Sequence, residues 1–174
     1  FGATPTAVLE VQAAIRERIE RQPVRFYQRD LEGLLDEAVE DLAAFLGADA
    51  QDLGPVRNAT AGVNAVLRSL PLGPSDELLV TDHAYQACLN TLEYVSHRTG
   101  AAVTVVAIPL VTESPDQVVE AIVDRVTPAT RLALIDHVTS PTALVFPVQR
   151  IVEELDGLGV DALVDGAHAP GMVT

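Results

Sequence analysis

The sequence predicts an α/β fold built on a mostly parallel sheet, and three observations lead to this prediction. From residue 54 onward, short apolar runs alternate with segments of helical periodicity. The apolar runs are continuous, as in strands that are buried on both faces of a sheet. Loops rich in Gly and Pro, such as 73–75, separate the segments. Together these features indicate strand–helix–strand units whose helices cover both faces of the sheet.

Two amphipathic helices are predicted ahead of the first strand. Segment 6–22 has apolar residues at helical spacing, and Pro23 stops it. Segment 30–46 repeats the pattern, and Gly47 is a suitable C-cap. We therefore divide the chain into a helical segment, 1–50, and a sheet-forming part, 51–174.

Five strands are expected in the second part, at Val56, 77–81, 103–108, 131–138 and 163–165. Each is a short apolar run of strand length, bounded by turn residues or by a helical pattern. The helices between them are expected at 61–70, 84–99, 114–126 and 147–158. Pro147 suits the first turn of the last helix because its missing N–H is not needed there.

Composition limits the classes of function. The chain has 174 residues, 48% of them hydrophobic, which suits one folded domain. A formal net charge of −14 argues against nucleic acids and anionic membrane surfaces as partners. No apolar run approaches the roughly 18 residues of a membrane span. The single cysteine, Cys88, predicts a reducing cytoplasm and a buried structural thiol, not a nucleophile.

The most informative segment is 161–171. An apolar run ends at Asp165, and small residues follow it together with His168. A buried parallel strand presents a carboxylate in this way at its C-terminal end, where open α/β sheets bind ligands. Metal binding by the Asp and His residues near these strand ends is not expected, since their spacing matches no standard zinc motif.

A second candidate site lies at the junction between the first predicted strand and the helix that follows it, in segment 57–64. Ala59 and Ala61 allow close approach of a ligand to the backbone. The free amides of the helix N-terminus and the Thr60 hydroxyl can hold a phosphate. Alternatively, Thr60 only caps its helix. The segment lacks the glycine spacing of dinucleotide-binding and P-loop motifs.

In these two segments the chain resembles the class V aminotransferase family, and most of all its isopenicillin N epimerase-like branch. The resemblance implies pyridoxal 5′-phosphate (PLP) as cofactor and the large domain of the PLP-dependent transferase fold, the aspartate aminotransferase-like fold type I. The sheet would be of the seven-stranded type, with only its first part present. The resemblance extends over nearly the whole chain.

The resemblance also implies a role for individual residues. Asp165 would lie against the pyridine nitrogen of the cofactor and keep it protonated. Ala59, Thr60 and Ala61 would bind its phosphate. An aromatic ring stacks on the pyridine, and here Tyr85 is the first candidate and His83 the second. The remaining implied contacts are a hydrogen bond from Ser140 to the phenolic oxygen and one from His168 to that oxygen or to the substrate-side imine.

All eleven cationic side chains are arginines, so the chain has no lysine. The family holds PLP as a Schiff base on a lysine. The resemblance places that lysine downstream of Asp165, and segment 1–5 looks like the second half of a longer family segment. We therefore expect an internal piece of a longer enzyme that is inactive alone.

The implied activity is PLP-dependent chemistry on an amino acid or a related small molecule through an α-carbanion. Epimerisation, carbon–sulfur lysis and transamination are all open outcomes. The resemblance also implies a homodimer with its active sites at the interface. Two alternatives remain: a non-catalytic domain of this fold used for binding or assembly, and an unrelated nucleotide-binding α/β domain.

Overall fold

The computed structural model describes residues 2–173 of the chain. They fall into two structural units, with the division between Pro55 and Val56. The sequence placed this division slightly earlier, between 50 and 51. Among the described residues, no helix has the length and hydropathy needed to cross a membrane.

The first unit is helical, with α1 at Thr6–Arg21, α2 at Pro23–Arg25, a π-helical turn at Phe26–Asp30, α3 at Leu31–Leu46 and a 3-10 turn at Ala50–Asp52. Both predicted helices are therefore confirmed. Gly47 ends α3 in the left-handed region with φ 67°. Pro23 follows the end of α1 and itself starts α2. A proline fits there because the first turn of a helix does not use its N–H groups.

The second unit contains four strands: β1 at Glu77–Thr81, β2 at Ala102–Val106, β3 at Thr130–Asp136 and β4 at Asp161–Asp165. Its helices are α4 at Ala59–Ser69, α5 at Gln86–Thr99, α6 at Pro115–Val123 and α7 at Val148–Gly157. The strands form one parallel sheet in the order β2-β1-β3-β4.

Four of the five predicted strands are confirmed, whereas the prediction at Val56 is wrong. Val56 is exposed and belongs to no strand. It lies between Pro55 and Asn58, and Asn58 already caps α4. One apolar residue between a proline and a helix cap leaves no length over which a strand could pair.

Two apolar clusters cover the two faces of the sheet. On one face, α4 and α5 pack against a set that includes Leu78 and Leu134. On the other face, α6 and α7 pack against a set that includes Leu79 and Ile135. Neighbouring residues of a strand point to opposite faces, so the continuous apolar runs of β1 and β3 supply both clusters.

The strand order reverses direction at β1. The chain runs from β1 outward to β2 and then returns across β1 to form β3 and β4. In open parallel sheets, ligands bind outside the carboxyl ends of the strands at such a reversal. This topology therefore predicts a ligand site among the loops that follow β1, β3 and β4.

Glu77 links neighbouring elements at the opposite edge of the sheet, the amino edge, where the strands begin. Its carboxylate accepts hydrogen bonds from the hydroxyls of Thr104, Thr127 and Thr130, at 2.6, 3.0 and 2.5 Å. Burial alone would raise the pKa of Glu77, but the three hydroxyl donors lower it overall. The ionised carboxylate therefore links β1 to β2, to β3 and to the turn before β3.

The contact between the end of α5 and Pro74 can be tested at Gly100. It ends α5 with φ 81°, and a Cβ added there would lie 3.0 Å from Cγ of Pro74. Gly100→Ala should lower the free energy of unfolding by about 1–2 kcal/mol, the cost of placing an L side chain in the left-handed region. Urea unfolding of the protein measures the change.

The matched control is Gly157→Ala in α7, where the added Cβ meets open space. This variant should be neutral or more stable by up to about 1 kcal/mol, because alanine favours a helix over glycine. Equal losses in both variants would contradict the packing described for Gly100.

Candidate active site

Two carboxylates lie side by side at the carboxyl edge of the sheet. Asp136 ends β3 and Asp165 ends β4, and the two residues are partners in the parallel register. Leu134 and Leu163, two positions earlier, both belong to the α4–α5 face, so the alternation of side chains puts both carboxylates on that face. They are 3% and 6% exposed.

Asp165 accepts hydrogen bonds on both oxygens. Oδ1 accepts from the backbone N–H of Ala167 at 3.1 Å, and Oδ2 accepts from the thiol of Cys88 at 3.4 Å. Cys88 is 1% exposed in the first turn of α5. Burial, the hydrogen bond to Asp165 and the two nearby carboxylates raise the pKa of Cys88 to about 12. The thiol is therefore a stable donor and not a nucleophile.

Asp136 has a different environment. Burial, followed by the negative charge of Asp165, raises the pKa of Asp136 to about 7, although N–H groups of Tyr85 and Asp136 itself and the nearby His83 oppose the shift. Within residues 2–173, no arginine forms an ion pair with either carboxylate. In the described residues the pair is thus a buried acidic site without an arginine partner, with the imidazole of His83 nearby.

The N-termini of α4 and α5 lie at the same edge. The side-chain amide of Asn64 donates to Thr91 Oγ1 at 2.8 Å, and Arg98 donates to the carbonyl of Arg68 at 2.9 Å. Because these contacts join corresponding parts of the helices, α4 and α5 run in the same direction. Since α5 follows β1 closely, both helix N-termini are at the carboxyl edge, where their amides favour anions.

Asn58, not Thr60, caps α4. Its side-chain oxygen accepts from the backbone N–H of Ala61 at 2.8 Å. The alternative that Thr60 serves only as the cap is therefore wrong. Ala59 and Thr60 come first in the helix and are half-buried. The amide of Ala61 is already bound to Asn58, so a phosphate there would compete with this cap.

The two ring candidates differ sharply in their surroundings. His83 is buried, and its Nδ1 and Nε2 lie 2.7 Å from Thr142 Oγ1 and 2.8 Å from the carbonyl oxygen of Ile108. Tyr85 immediately precedes α5 and is 43% exposed. Of the two rings, Tyr85 is the one open to a ligand, while His83 joins the loops of the carboxyl edge.

His83 belongs to a chain of hydrogen bonds. A carbonyl can only accept, so Nε2–H donates to Ile108, while Nδ1 is hydrogen-bonded to the Thr142 hydroxyl. The Thr142 hydroxyl is also hydrogen-bonded to that of Thr139, 2.7 Å away. Asp82 completes the connection by accepting from the backbone N–H of Ile108 at 2.9 Å.

Ser140 and His168 occupy turns beyond the strand ends. Ser140 is exposed in the loop after β3, which is closed by a hydrogen bond from Leu144 N–H to Thr139 Oγ1 at 2.8 Å. His168 is exposed in the turn after β4. Their roles toward a cofactor stay predictions. In the described part of the chain, no three His, Cys, Asp or Glu side chains are arranged to hold a metal ion.

Sequence reasoning did not select Asn58, Cys88 or Asp136 as site residues. Asn58 was detectable as a capping residue next to Thr60. Asp136 had a visible signal, because Leu134-Ile135-Asp136 ends a strand just as Leu163-Val164-Asp165 does. The contact of Cys88 with Asp165 spans 77 positions and depends on the packing of α5.

An α/β domain with two helix N-termini, a buried acidic pair and an open aromatic ring at the carboxyl edge of its sheet is a ligand-binding domain of enzyme type. The family model described as aminotransferase class V matches residues 5–172. The chain therefore belongs to the class V aminotransferase family, and the alternative of an unrelated nucleotide-binding domain is wrong.

Curated relatives include enzymes of two kinds. The chain is 34% identical to an isopenicillin N epimerase of Streptomyces clavuligerus and 38% identical to one of Amycolatopsis lactamdurans, over 99% and 98% of its length. It is 29% identical over 99% of its length to a probable chloroplastic L-cysteine desulfhydrase of Arabidopsis thaliana. The chain spans 43%, 43% and 40% of these relatives.

Solved structures confirm the fold. The cystine C–S lyase C-DES, in complex with its product cysteine persulfide, superposes with a TM-score of 0.89 at 23% identity, over 97% of this chain and 46% of that one. A mutant of C-DES with glycine covalently linked to its PLP cofactor gives a TM-score of 0.88. The prediction of the fold type I large domain is thus confirmed.

Asp136 should make stability depend on pH. Its folded-state pKa lies above the usual value for Asp, so the folded protein binds more protons than the unfolded chain between about pH 4 and 7, and stability from this group falls as pH rises through that window. Asp136→Asn should remove the fall and stabilise the protein at pH 8 by on the order of 2 kcal/mol. Chemical denaturation across this pH range measures both effects.

The control variant is Asp161→Asn, at the exposed start of β4. It removes the same charge from the same sheet, but at the other end of a strand. The pH dependence of the free energy of unfolding should therefore be the same as in the wild type. If Asp136→Asn and Asp161→Asn show the same pH dependence, Asp136 is ionised in the folded protein and its assigned environment is incorrect.

Proposed function

We propose that this domain binds PLP and serves an enzyme that acts on an amino acid, or a molecule derived from one, through an α-carbanion. The observation behind this proposal is the buried carboxylate of Asp165 at the end of β4, beside Asp136 and without an arginine partner among the described residues. Such a pair fits a ligand that brings a buried positive charge. Family membership supports the same cofactor.

The residues present fit PLP in three respects. A protonated pyridine nitrogen matches the uncompensated carboxylate of Asp165. A phosphate matches the start of α4 at Ala59 and Thr60, where helix amides favour an anion. The flat ring matches Tyr85, whose exposed side chain can stack on it. Ser140 and His168 are proposed to hold the phenolic oxygen, and His83 to support Tyr85 through its loop.

When bound, PLP supplies an electron sink that stabilises negative charge at the α-carbon of the substrate. Asp165 would sustain this property by keeping a proton on the ring nitrogen. Its two hydrogen bonds, from Ala167 and Cys88, fix both oxygens of the carboxylate, so the acceptor is oriented before the ligand arrives. The sequence contains no lysine, and the residues described here therefore account for noncovalent binding.

The substrate class follows from the relatives. Their names describe an epimerase, which inverts a stereocentre, and desulfhydrases, which release sulfur from cysteine. Both activities can begin with loss of the α-proton. We propose that first step for the intact enzyme. Epimerisation and carbon–sulfur lysis are favoured over transamination because the relatives perform them.

The α-proton provides a test common to all outcomes. The intact protein, supplied with PLP in D₂O, should exchange the α-hydrogen of its amino-acid substrate, and Asp165→Asn should slow this exchange by at least ~100-fold, as expected for loss of a preorganised electrostatic partner. Proton NMR of isopenicillin N-type peptides, L-cysteine and L-cystine measures the exchange.

Asp161→Asn again serves as the control, because it removes a carboxylate from the exposed end of the same strand. It should exchange at the wild-type rate. Exchange in Asp165→Asn at a near-normal rate would refute the role of Asp165. PLP binding without exchange of any of these substrates would instead favour a domain of this fold used for binding or assembly.

We further propose a homodimer located in the cytoplasm. Helices α1 and α3 each carry exposed apolar side chains, including Val8, Val11 and Ile15 on α1 and Leu42 and Phe45 on α3. A second copy of the chain could cover them. The one cysteine, buried and without a disulfide, is compatible with a reducing compartment.

Sedimentation of the intact protein at micromolar concentration should show a dimer. Paired substitutions Val11→Glu and Phe45→Glu should shift it toward monomer, since a stable interface of more than ~1,000 Å² tolerates buried charge poorly. Glu10→Gln and Glu40→Gln, which alter exposed polar positions of the same helices, should not. A wild-type protein that is an active monomer would contradict this assembly.

A further inference from the structure

Asp136 has no separate role in the function proposed so far, yet it is the more buried of the two acids at the site. The charged and titratable groups that face it are few. Asp165 faces it from β4, Cys88 from α5 and His83 from the loop after β1. The backbone N–H of Tyr85, at the start of α5, also points to it.

Two carboxylates in register on neighbouring strands of a buried site disfavour each other's ionisation, so below about pH 7 one of them keeps a proton unless a cation compensates it. Their surroundings decide which one carries the proton. Asp165 accepts a thiol hydrogen and a backbone N–H, one on each oxygen, and both bonds favour a charged acceptor. Asp136 lies deeper, at 3% exposure against 6%, and the burial that disfavours its charged form outweighs the opposing effect of nearby backbone N–H groups. The proton therefore belongs on Asp136.

We propose that Asp136 is a positioning residue for the cation received by Asp165: it is a neutral acid while the site lacks a cation and ionises when a protonated nitrogen heterocycle binds. The O–H bond of Asp136 breaks, its electron pair stays on the carboxylate, and the proton leaves to solvent. This inference rests on the proposed function, because it requires that Asp165 receive the ring nitrogen of PLP.

In this arrangement the net charge of the acid pair depends on whether a cationic ligand is bound. Before binding, one negative charge is present, and like-charge repulsion between the two strand ends is avoided. After binding, two negative charges face one cation, so the cation is held by both. The carboxylate of Asp136 therefore attracts the ligand only when the ligand brings a positive charge into the site.

The test uses pyridoxamine 5′-phosphate, which carries the same ring and phosphate but requires no lysine to bind. Its dissociation constant is measured for the cofactor-free intact protein and for Asp136→Asn at several pH values. The ratio of the two constants, variant over wild type, removes the pH dependence of the ligand itself. It should rise at least ~10-fold between about pH 5.5 and pH 8, which corresponds to one unit of pKa shift at Asp136.

Asp161→Asn is the matched control, and its ratio to wild type should stay constant over the same range. A second measurement needs no variant. The infrared difference spectrum of the wild-type protein should lose the C=O band of a protonated carboxylic acid when pyridoxamine 5′-phosphate is added near pH 6. Asp136→Asn should lack that loss.

The outcomes separate this inference from the proposed function. A ratio that does not vary with pH, or a carboxylic acid band that persists after binding, would overturn the role of Asp136. If Asp165→Asn then still weakens binding of the probe by tenfold or more, the proposed function stands without it. If the wild type fails to bind the probe and Asp165→Asn changes nothing, both are refuted.

Discussion

The parallel register of β3 and β4 is the constraint on which the site depends. It makes Asp136 and Asp165 direct neighbours, and the alternation of side chains turns both toward α4 and α5. A shift of one residue would send one carboxylate to the α6–α7 face, among the apolar residues of the other cluster. The packing of both faces therefore protects the register, and the register assembles the acid pair.

The acids at the two edges of the sheet have opposite pKa shifts. At the amino edge, Glu77 has three threonine hydroxyls as donors, and its pKa is lowered. At the carboxyl edge, Asp136 has a carboxylate as its neighbour, and its pKa is raised. Glu77, which has hydrogen-bond donors, links strands. Asp136, which is repelled by Asp165, is in an environment that a cationic ligand would make more favourable. This contrast supports the assignment of binding to the carboxyl edge.

Much of the fold could be predicted from the sequence, because continuous apolar runs and helical spacing are local signals. Asp165 could also be found, since an apolar run and a cluster of small residues mark its position. Asp136 ends an apolar run in the same way, but the pairing of its strand with β4, which brings it to the site, is not visible in a short segment. Cys88 could not be found from the sequence, because its contact with Asp165 depends on how α5 lies over the sheet.

The errors have equally local causes. Val56 suits a strand by residue type, but Pro55 and the Asn58 cap leave it no strand partner. Thr60 and Asn58 are both good capping residues, and only the geometry of α4 shows that Asn58 accepts from Ala61. His83 and Tyr85 are both rings near a strand end. Packing buries His83 and exposes Tyr85, a difference that their sequence positions do not indicate.

The hydrogen-bond chain through His83 has a mechanical consequence. It runs from Thr139 through Thr142 and the imidazole to Ile108, and so crosses the loops that follow β3, β1 and β2. The three loops are therefore joined to one another at the carboxyl edge. Tyr85 and Ser140 lie on two of these joined loops, so moving one of them away from the other would require breaking a hydrogen bond of the chain.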